Sequence, residues 1–252
     1  MNRDQFWLTK AQFAKIVAHL PTDTRGKARV DDRRVISGII QVLKSGGRWV
    51  DAPPDYGPRK TLYNRFVRWA EKGVWVGVFE ALAQAGGPPA QVLIDSSAVK
   101  AHRSAAGGKG GRKNQAIGRS RGGRTTKIHA LTDALCRPIA FMLTGGQVAD
   151  CTAGAALLER LPACEVLHGD KGYDANAIRR QIEERGALAN IPPKANRKWK
   201  CCFSPFLYRN RNAIERMFCR LKDFRRVATR YDRSAANFLA AVCIAAIVSY
   251  WL

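Results

Sequence analysis

Residues 204–222 read SPFLYRNRNAIERMFCRLK, and this stretch predicts the helix around which the rest of the chain is organised. Ser204 and Pro205 are typical of a helix N-terminus. A serine oxygen accepts from free backbone N–H groups, and the fixed φ of proline suits the first turn. An apolar stripe at helical spacing follows, formed by Ile214, Phe218 and Leu221. We therefore expect this helix to pack along that stripe.

Polar residues lie beside the stripe. At about 100° per residue, one narrow arc of the helix contains Tyr208, Arg211, Glu215 and Lys222. Residues 194–230 include 12 Lys and Arg but two acids, Glu215 and Asp223. Neighbouring cations favour an ionised carboxylate, which suits a metal ion that bridges to a phosphate. The alternative is a surface helix in which Glu215 pairs with Arg211 or Arg216.

The four polar residues are separated by two, three and six positions. This spacing resembles the Y-R-E-K signature of bacterial insertion-sequence transposases of the DDE class, in particular the large insertion-sequence-five family. The stretches AHRSAAG (101–107) and RGGRTTKIHALTD (121–133) are also similar to the corresponding parts of that family. The resemblance covers nearly the whole chain and is most diagnostic over residues 91–230.

The composition indicates a nucleic-acid partner. The 252 residues carry 43 Lys and Arg against 20 Asp and Glu, a net charge of +23. Such a surplus favours a polyanionic partner, although ribosomal and membrane-surface proteins share it. Seven cysteines without metal-type spacing favour reduced thiols in a cytosol, and the N-terminus predicts no signal peptide. The resemblance implies that the compartment is the bacterial cytoplasm, with nucleoid association when DNA is bound. The uncharged run at 235–252 predicts a buried closing helix, with a membrane span as a minor alternative.

Residues 1–88 predict a small all-α domain that binds DNA. Apolar residues at helical spacing indicate helices near residues 9–20, 31–45, 60–70 and 75–85, and the boundary falls in GGPP at 86–89. A helix, a Gly-rich turn and a basic helix resemble a helix-turn-helix reader. The cations expected to contact DNA there are Lys60, Arg65 and Arg68. The alternative is a plain helical bundle with solvated cations.

Residues 89–252 predict an α/β domain. Short apolar runs indicate strands near residues 91–98, 126–131, 139–143, 165–168 and 188–191, with helices near 150–161, 175–185 and from 204 onward. This order is that of a ribonuclease-H-like fold with a mixed five-stranded sheet. A basic Gly-rich loop at 104–124 separates the first two strands, and we expect it to order on a nucleic-acid backbone. Its candidate DNA contacts, with the strand that follows, are Arg119, Arg121, Arg124 and Lys127.

Acids end two of the predicted strands. Asp95 follows VLI, and Asp170 lies in LHGDKGYD after another buried strand. Ligands of α/β sheets collect at the carboxyl ends of strands, and carboxylates are the ligands that Mg²⁺ prefers. We therefore expect Asp95, Asp170 and Glu215 to form a metal site. The competing acids nearby in sequence are Asp133, Asp150, Asp174, Glu183 and Glu184. Of these, Asp174 could replace Asp170, and Asp133 is the most favoured additional acid near the site.

The resemblance assigns the same three acids and implies the reaction. It implies phosphodiester transfer at the terminal inverted repeats of a mobile element, with two Mg²⁺ or Mn²⁺ ions about 3.5–4 Å apart. It further implies that Tyr208, Arg211 and Lys222 grip DNA near the cut. A homodimer is expected in the DNA complex, because two ends must be joined together. Trp199 could stack on a displaced base, although a core or loop position is favoured.

Two other functions remain open from the residues. One is a DNA-binding repressor of the same element that does not cut, and the other is a structural RNA-binding protein suggested by charge alone.

Overall fold

The computed structural model describes residues 5–22, 29 and 31–252, and for residues 112 and 113 it describes the backbone alone. Part of the predicted 1–88 domain therefore lies outside the described residues. Within them the α-helices are α1 (Lys10–Val17), α2 (Asp32–Ser45), α3 (Arg59–Glu71), α4 (Val74–Ala85), α5 (Gly111–Asn114), α6 (Asp150–Leu158), α7 (Asn176–Glu183), α8 (Pro205–Tyr208), α9 (Asn212–Lys222), α10 (Arg225–Ala228) and α11 (Ala235–Ala246).

The strands are β1 (Gln91–Ala101), β2 (Gly118–Ser120), β3 (Gly123–Asp133), β4 (Pro138–Gly145), β5 (Val166–Gly169), β6 (Leu188–Asn190) and β7 (Thr229–Arg230). Short 3₁₀ turns occupy Trp49–Asp51, Pro54–Tyr56, Arg103–Ala105, Lys171–Tyr173 and Arg209–Arg211, and a π-helical turn covers Ile247–Trp251.

All the strands belong to one mixed sheet. β3 lies antiparallel between β1 and β4, whereas β1, β5 and β6 run parallel to one another. The five predicted strands are present, and the prediction missed β2 and β7. Each of these two has only two or three residues, too few to show an alternating pattern, and each pairs with an end of a longer strand.

Both faces of the sheet are buried, as the apolar run in β1 predicts. Val92 and Ile94 face a core shared with α6 and α7, whereas Leu93 faces a second core shared with the N-terminal helices, α9 and α11. Alternate side chains of one strand thus hold two helical layers on a mixed sheet. This arrangement confirms the ribonuclease-H-like fold.

The N-terminal helices share a core with the end of the chain. α11 packs against α3, α4 and β4, and Phe79 of α4 stacks on Phe141 of β4 with ring centroids 5.1 Å apart. α3 therefore buries Leu62 and Phe66 while leaving Lys60 and Arg68 exposed. The connection between α2 and α3 covers residues 46–58 and includes two 3₁₀ turns, longer than the roughly 3–4-residue turn of a helix-turn-helix. The DNA-reading role of this region stays a prediction, as does its separation as a domain.

The C-terminal run forms the predicted closing helix. α11 is buried along nearly its whole length among helices and β4. None of the helices in the described part of the chain has both the length and the apolar character needed to cross a bilayer.

The stretch at 204–222 differs from the single helix predicted. Ser204 caps α8 as expected, with its oxygen accepting from the Leu207 N–H at 3.3 Å. A 3₁₀ turn at Arg209–Arg211 then separates α8 from α9. Residues 209–212 read RNRN and provide no apolar side chain to pack, and the Asn210 side chain donates to the carbonyl of Ala134 at 3.0 Å. Polar contacts therefore replace helical packing at this point.

Candidate active site

The register of β1 and β5 places two acids side by side. Ile94 pairs with Gly169 in the parallel ladder, so the next residues are Asp95 and Asp170. Neighbouring strands lie about 4.8 Å apart. The strand pairing therefore brings together two carboxylates that are far apart in the chain.

The turn after β5 fixes the Asp170 side chain. Asp170 Oδ1 accepts from the Gly172 N–H at 2.8 Å and caps the 3₁₀ turn Lys171–Tyr173. A Cβ at position 172 would lie 2.8 Å from the same oxygen, so a larger residue there would shift the carboxylate. The GDKG sequence thus holds the Asp170 carboxylate at the carboxyl end of β5.

The third acid comes from α9. Ile214, Phe218 and Leu221 are buried against the rest of the protein, as the stripe predicts, and α9 packs on β1. Glu215 remains more than half exposed beside the sheet edge. Arg211 joins it to β1, because its Nη2 donates to Asp95 Oδ2 at 3.0 Å and its Nη1 donates to Glu215. Glu215 therefore both pairs with Arg211 and lies close to Asp95.

The electrostatics of Asp95 reflect this crowding. Burial raises the pKa of Asp95 to about 6, and the negative charges of Asp170 and Glu215 act in the same direction. The Ser96 N–H, at 2.7 Å from Asp95 Oδ1, and Arg211 oppose that rise. A buried carboxylate with acidic neighbours is stabilised by any cation that reaches it.

The residues present are compatible with divalent ions, although they are not assembled as a finished cage. Among residues 5–22, 29 and 31–252, no three His, Cys, Asp or Glu side chains are grouped closely enough to hold a metal ion. Arg211 instead supplies positive charge to Asp95 and Glu215. Asp95 and Asp170 are adjacent, and Arg211 joins Glu215 to Asp95. If a divalent ion replaced Arg211, these three carboxylates would fit it as ligands.

The remaining residues of the signature lie around the acids. Lys222 Nζ donates to Ser97 Oγ at 2.7 Å, and Ser97 points to the same face of β1 as Asp95 because side chains alternate along a strand. The Tyr208 ring lies with its centroid 6.0 Å from Arg211 Cζ. All four signature residues are therefore near Asp95, even though the helix that carries them is broken.

Asp133 is not near this site, and the prediction that it is the extra acid was wrong. It pairs with Val92, near the N-terminus of β1. Arg137 Nε donates to its Oδ2 at 2.6 Å. Because β3 runs antiparallel to β1, the C-terminus of β3 lies beside the N-terminus of β1. Asp133, at the end of β3, is therefore displaced along the strands from Asp95, which follows Ile94.

Asp174 is not an alternative to Asp170. Its carboxylate is enclosed by Arg179 and Arg197, each with an Nε–oxygen distance of 2.9 Å, and by the Lys194 N–H. Burial alone would raise the pKa of Asp174, but these hydrogen bonds outweigh it and the pKa is lowered. Asp174 stabilises the fold and has no free ligand position.

Asp150, one of the competing acids in the sequence, is the one that the structure links to Asp95. Its Oδ1 accepts from Ser96 Oγ at 2.7 Å and from Lys127 Nζ at 3.0 Å. Burial would raise the pKa of Asp150, but these two donors lower it. Because Ser96 also binds Asp95 through its backbone N–H, Asp150 is linked to the first acid through one residue. The sequence showed Asp150 as a competing acid at the start of a predicted helix, but not its link to Asp95.

The other predicted DNA contacts differ in their surroundings. Arg65 is ion-paired with Asp32, and Lys127 is bound to Asp150 and to the Val148 carbonyl. The exposed cations among them are Lys60, Arg68, Arg119, Arg121 and Arg124. Trp199 lies 86% exposed in a segment without regular structure, which agrees with a loop position.

Two family models match the chain. Residues 8–79 match the family described as "Putative transposase of IS4/5 family", and residues 86–250 match "Transposase DDE domain". The Brucella ovis protein named "Putative transposase for insertion sequence element IS6501" is 33% identical over 129 residues, which cover 51% of this chain and 98% of the relative. The protein named "Putative transposase for insertion sequence element IS402" from Burkholderia cepacia is 33% identical over 121 residues, which cover 44% of this chain and 55% of that relative.

A solved structure supports the same fold. The cryo-EM structure of a piggyBac transposase synaptic complex with hairpin DNA superposes with a TM-score of 0.51 at 11% identity and covers 95% of this chain and 70% of that one. At this identity the likeness shows the fold alone, and the family follows from the sequence matches. The chain therefore belongs to the DDE transposases encoded by insertion sequences.

Proposed function

We propose that this transposase cleaves DNA at the terminal inverted repeats of its own element and joins the freed ends to target DNA, using Asp95, Asp170 and Glu215. The observation that supports this most is the pairing of Ile94 with Gly169, which sets two carboxylates side by side under a helix that presents the third. DDE transposases normally use divalent metal ions. We assign Mg²⁺ or Mn²⁺, as two ions, to these acids.

The residues around the acids have separate roles in orienting the carboxylates and in binding phosphate. The bound ions would polarise the attacking and leaving oxygens of the phosphodiester. Asp170 is held rigid by Gly172, and Asp95 by Ser96, so both carboxylates keep their direction while DNA enters. The Lys222 ammonium lies beside Ser97, two residues after Asp95 in β1. There it would supply a point charge to a phosphate that flanks the cut.

The DNA path that we propose runs over exposed cations. Arg119, Arg121 and Arg124 lie on the β2–β3 hairpin, and Lys60 and Arg68 lie on α3. Backbone contacts of this kind position a duplex without reading its sequence. Arg65 and Lys127 are left out of this surface because each already binds an acid within the chain.

The assembly that we propose is a homodimer on DNA, since two transposon ends must react together. No observation favours a repressor that does not cut.

The test uses labelled duplexes that carry the inverted repeats flanking the coding sequence. The wild-type protein is expected to nick at the repeat boundary with Mg²⁺ or Mn²⁺ and not in a chelator, whereas Glu215→Gln should bind the same DNA without cutting it. Binding of the ends by the wild type without any cutting would instead indicate the repressor. Preference for structured RNA over the repeats would indicate the structural RNA-binding protein.

A further inference from the structure

Arg211 already occupies the cation position of the acid cluster. Its guanidinium spans from Asp95 to Glu215, and its side chain is only 15% exposed. Asp95 is desolvated and close to two further acids, so a positive charge between them is strongly stabilising. We propose that Arg211 is the resident counter-ion of these acids, and that a divalent cation binds only when the guanidinium leaves Asp95 and Glu215. This inference rests on the proposed function, because it takes the acids to be the metal site.

The pairing of Arg211 is incomplete. While Nη1 and Nη2 donate to carboxylates, Nε is buried without a hydrogen-bond partner. A buried donor without a partner is costly. An acceptor that also reached Nε would satisfy this donor, which would offset part of the loss of the two carboxylate contacts when the guanidinium moves.

The local backbone allows that movement. Arg211 ends the 3₁₀ turn between α8 and α9, outside the helix that carries Glu215. Its side chain can therefore change rotamer without displacing the buried stripe of α9. In its present position the Arg211 Cζ already lies 6.0 Å from the centre of the Tyr208 ring, and a DNA phosphate would offer the guanidinium a second position by bidentate pairing.

Metal binding and DNA binding are coupled as a consequence. A phosphate that draws the guanidinium away leaves Asp95 and Glu215 without their counter-ion, and so raises their affinity for a divalent cation. Linkage requires the reverse effect as well, because a bound cation frees Arg211 for the phosphate. The acids would then bind metal weakly until DNA is present.

The experiment measures Mn²⁺ binding to the full chain without DNA, from the electron paramagnetic resonance signal of free Mn²⁺. Arg211→Ala should bind Mn²⁺ about 10- to 100-fold more tightly than the wild type, since a charge-assisted competitor has been removed. Arg216→Ala is the matched control. It removes the same charge from the same region, but Arg216 donates to Asn212 and Cys136 rather than to an acid, so its affinity should stay within about twofold of the wild type.

Arg211→Lys keeps the proposal testable where the alanine variant folds poorly. One ammonium cannot span both carboxylates, so the lysine variant should bind Mn²⁺ with an affinity between those of the wild type and Arg211→Ala. Equal or weaker binding in both Arg211 variants would overturn this inference and leave metal-dependent cleavage intact. Absence of Mn²⁺ binding in every variant, with no nicking by the wild type, would overturn both.

Discussion

Asp174 lies four residues after Asp170, and it alone of the two is enclosed by ion pairs, with Arg179 and Arg197 each 2.9 Å from its carboxylate. Asp174→Asn should therefore lower the free energy of unfolding by about 3 kcal/mol, because it leaves the buried Arg179 and the half-buried Arg197 partly unpaired. Asp170→Asn should leave the urea midpoint nearly unchanged and reduce DNA nicking by about 10²–10³-fold. Urea denaturation and a nicking assay on both variants check this. If Asp174→Asn abolished nicking in a fully stable protein, the two roles would have to be exchanged.

Lys222 is expected to contact a DNA phosphate. Lys222→Ala should weaken binding to the transposon end and reduce the slope of log affinity against log salt by about 0.9, the value for one phosphate contact. Ser97→Ala is the control, because it removes the hydrogen-bond partner of Lys222 and keeps the cation. Its salt slope should match that of the wild type. An unchanged slope in Lys222→Ala would remove Lys222 from the DNA contacts.

His129 makes stability depend on pH. Burial lowers the pKa of His129 to about 4, with Lys127 acting in the same direction and Asp150 opposing it. The unfolded chain, with an ordinary value near 6.5, therefore binds more protons than the folded protein between those limits. Stability from the neutral imidazole is fully present above about pH 6.5 and is lost as pH falls towards 4, by up to about 3 kcal/mol.

The check compares the wild type with His129→Asn. From pH 7.5 to 6 to 5, the urea midpoint should fall more steeply for the wild type than for His129→Asn. In the wild type, His129 Nε2 lies 2.8 Å from Thr144 Oγ1. Parallel pH dependences in the two proteins would show that His129 is not the responsible group.

The sequence predicted the parts of the site that follow from local pattern. Apolar runs that end at Asp95 and Asp170 were readable because a buried parallel strand and its terminal ligand are contiguous in the chain. The stripe on α9 likewise fixed which side of that helix presents Glu215. These features need no knowledge of which strands are neighbours.

The parts that failed depend on distant contacts. Asp133 also comes at the end of a strand, but an apolar run does not show whether that strand is parallel or antiparallel to its neighbour. Because β3 is antiparallel to β1, Asp133 lies beside the start of β1, away from Asp95. The link from Ser96 to Asp150 joins residues 54 positions apart, so no spacing rule indicates it. At the break between α8 and α9, the Asn210 side chain donates to the Ala134 carbonyl, which lies far away in sequence.

Two helical glycines provide a last test of the core that the N-terminal helices share with the rest of the protein. Gly38 in α2 lies against Tyr56, such that a Cβ would be 2.6 Å from the Tyr56 Cβ, while Gly77 in α4 has open space around it. Tyr56 is fully buried and its hydroxyl donates to the Phe6 carbonyl at 2.8 Å, so it cannot move away cheaply. Gly38→Ala should therefore destabilise the protein by about 1–3 kcal/mol through overpacking. Gly77→Ala should stabilise it by about 0.5–1 kcal/mol, because alanine is the better helix former. Urea denaturation measures both, and a stabilising Gly38→Ala would mean that α2 and Tyr56 are not packed together as described.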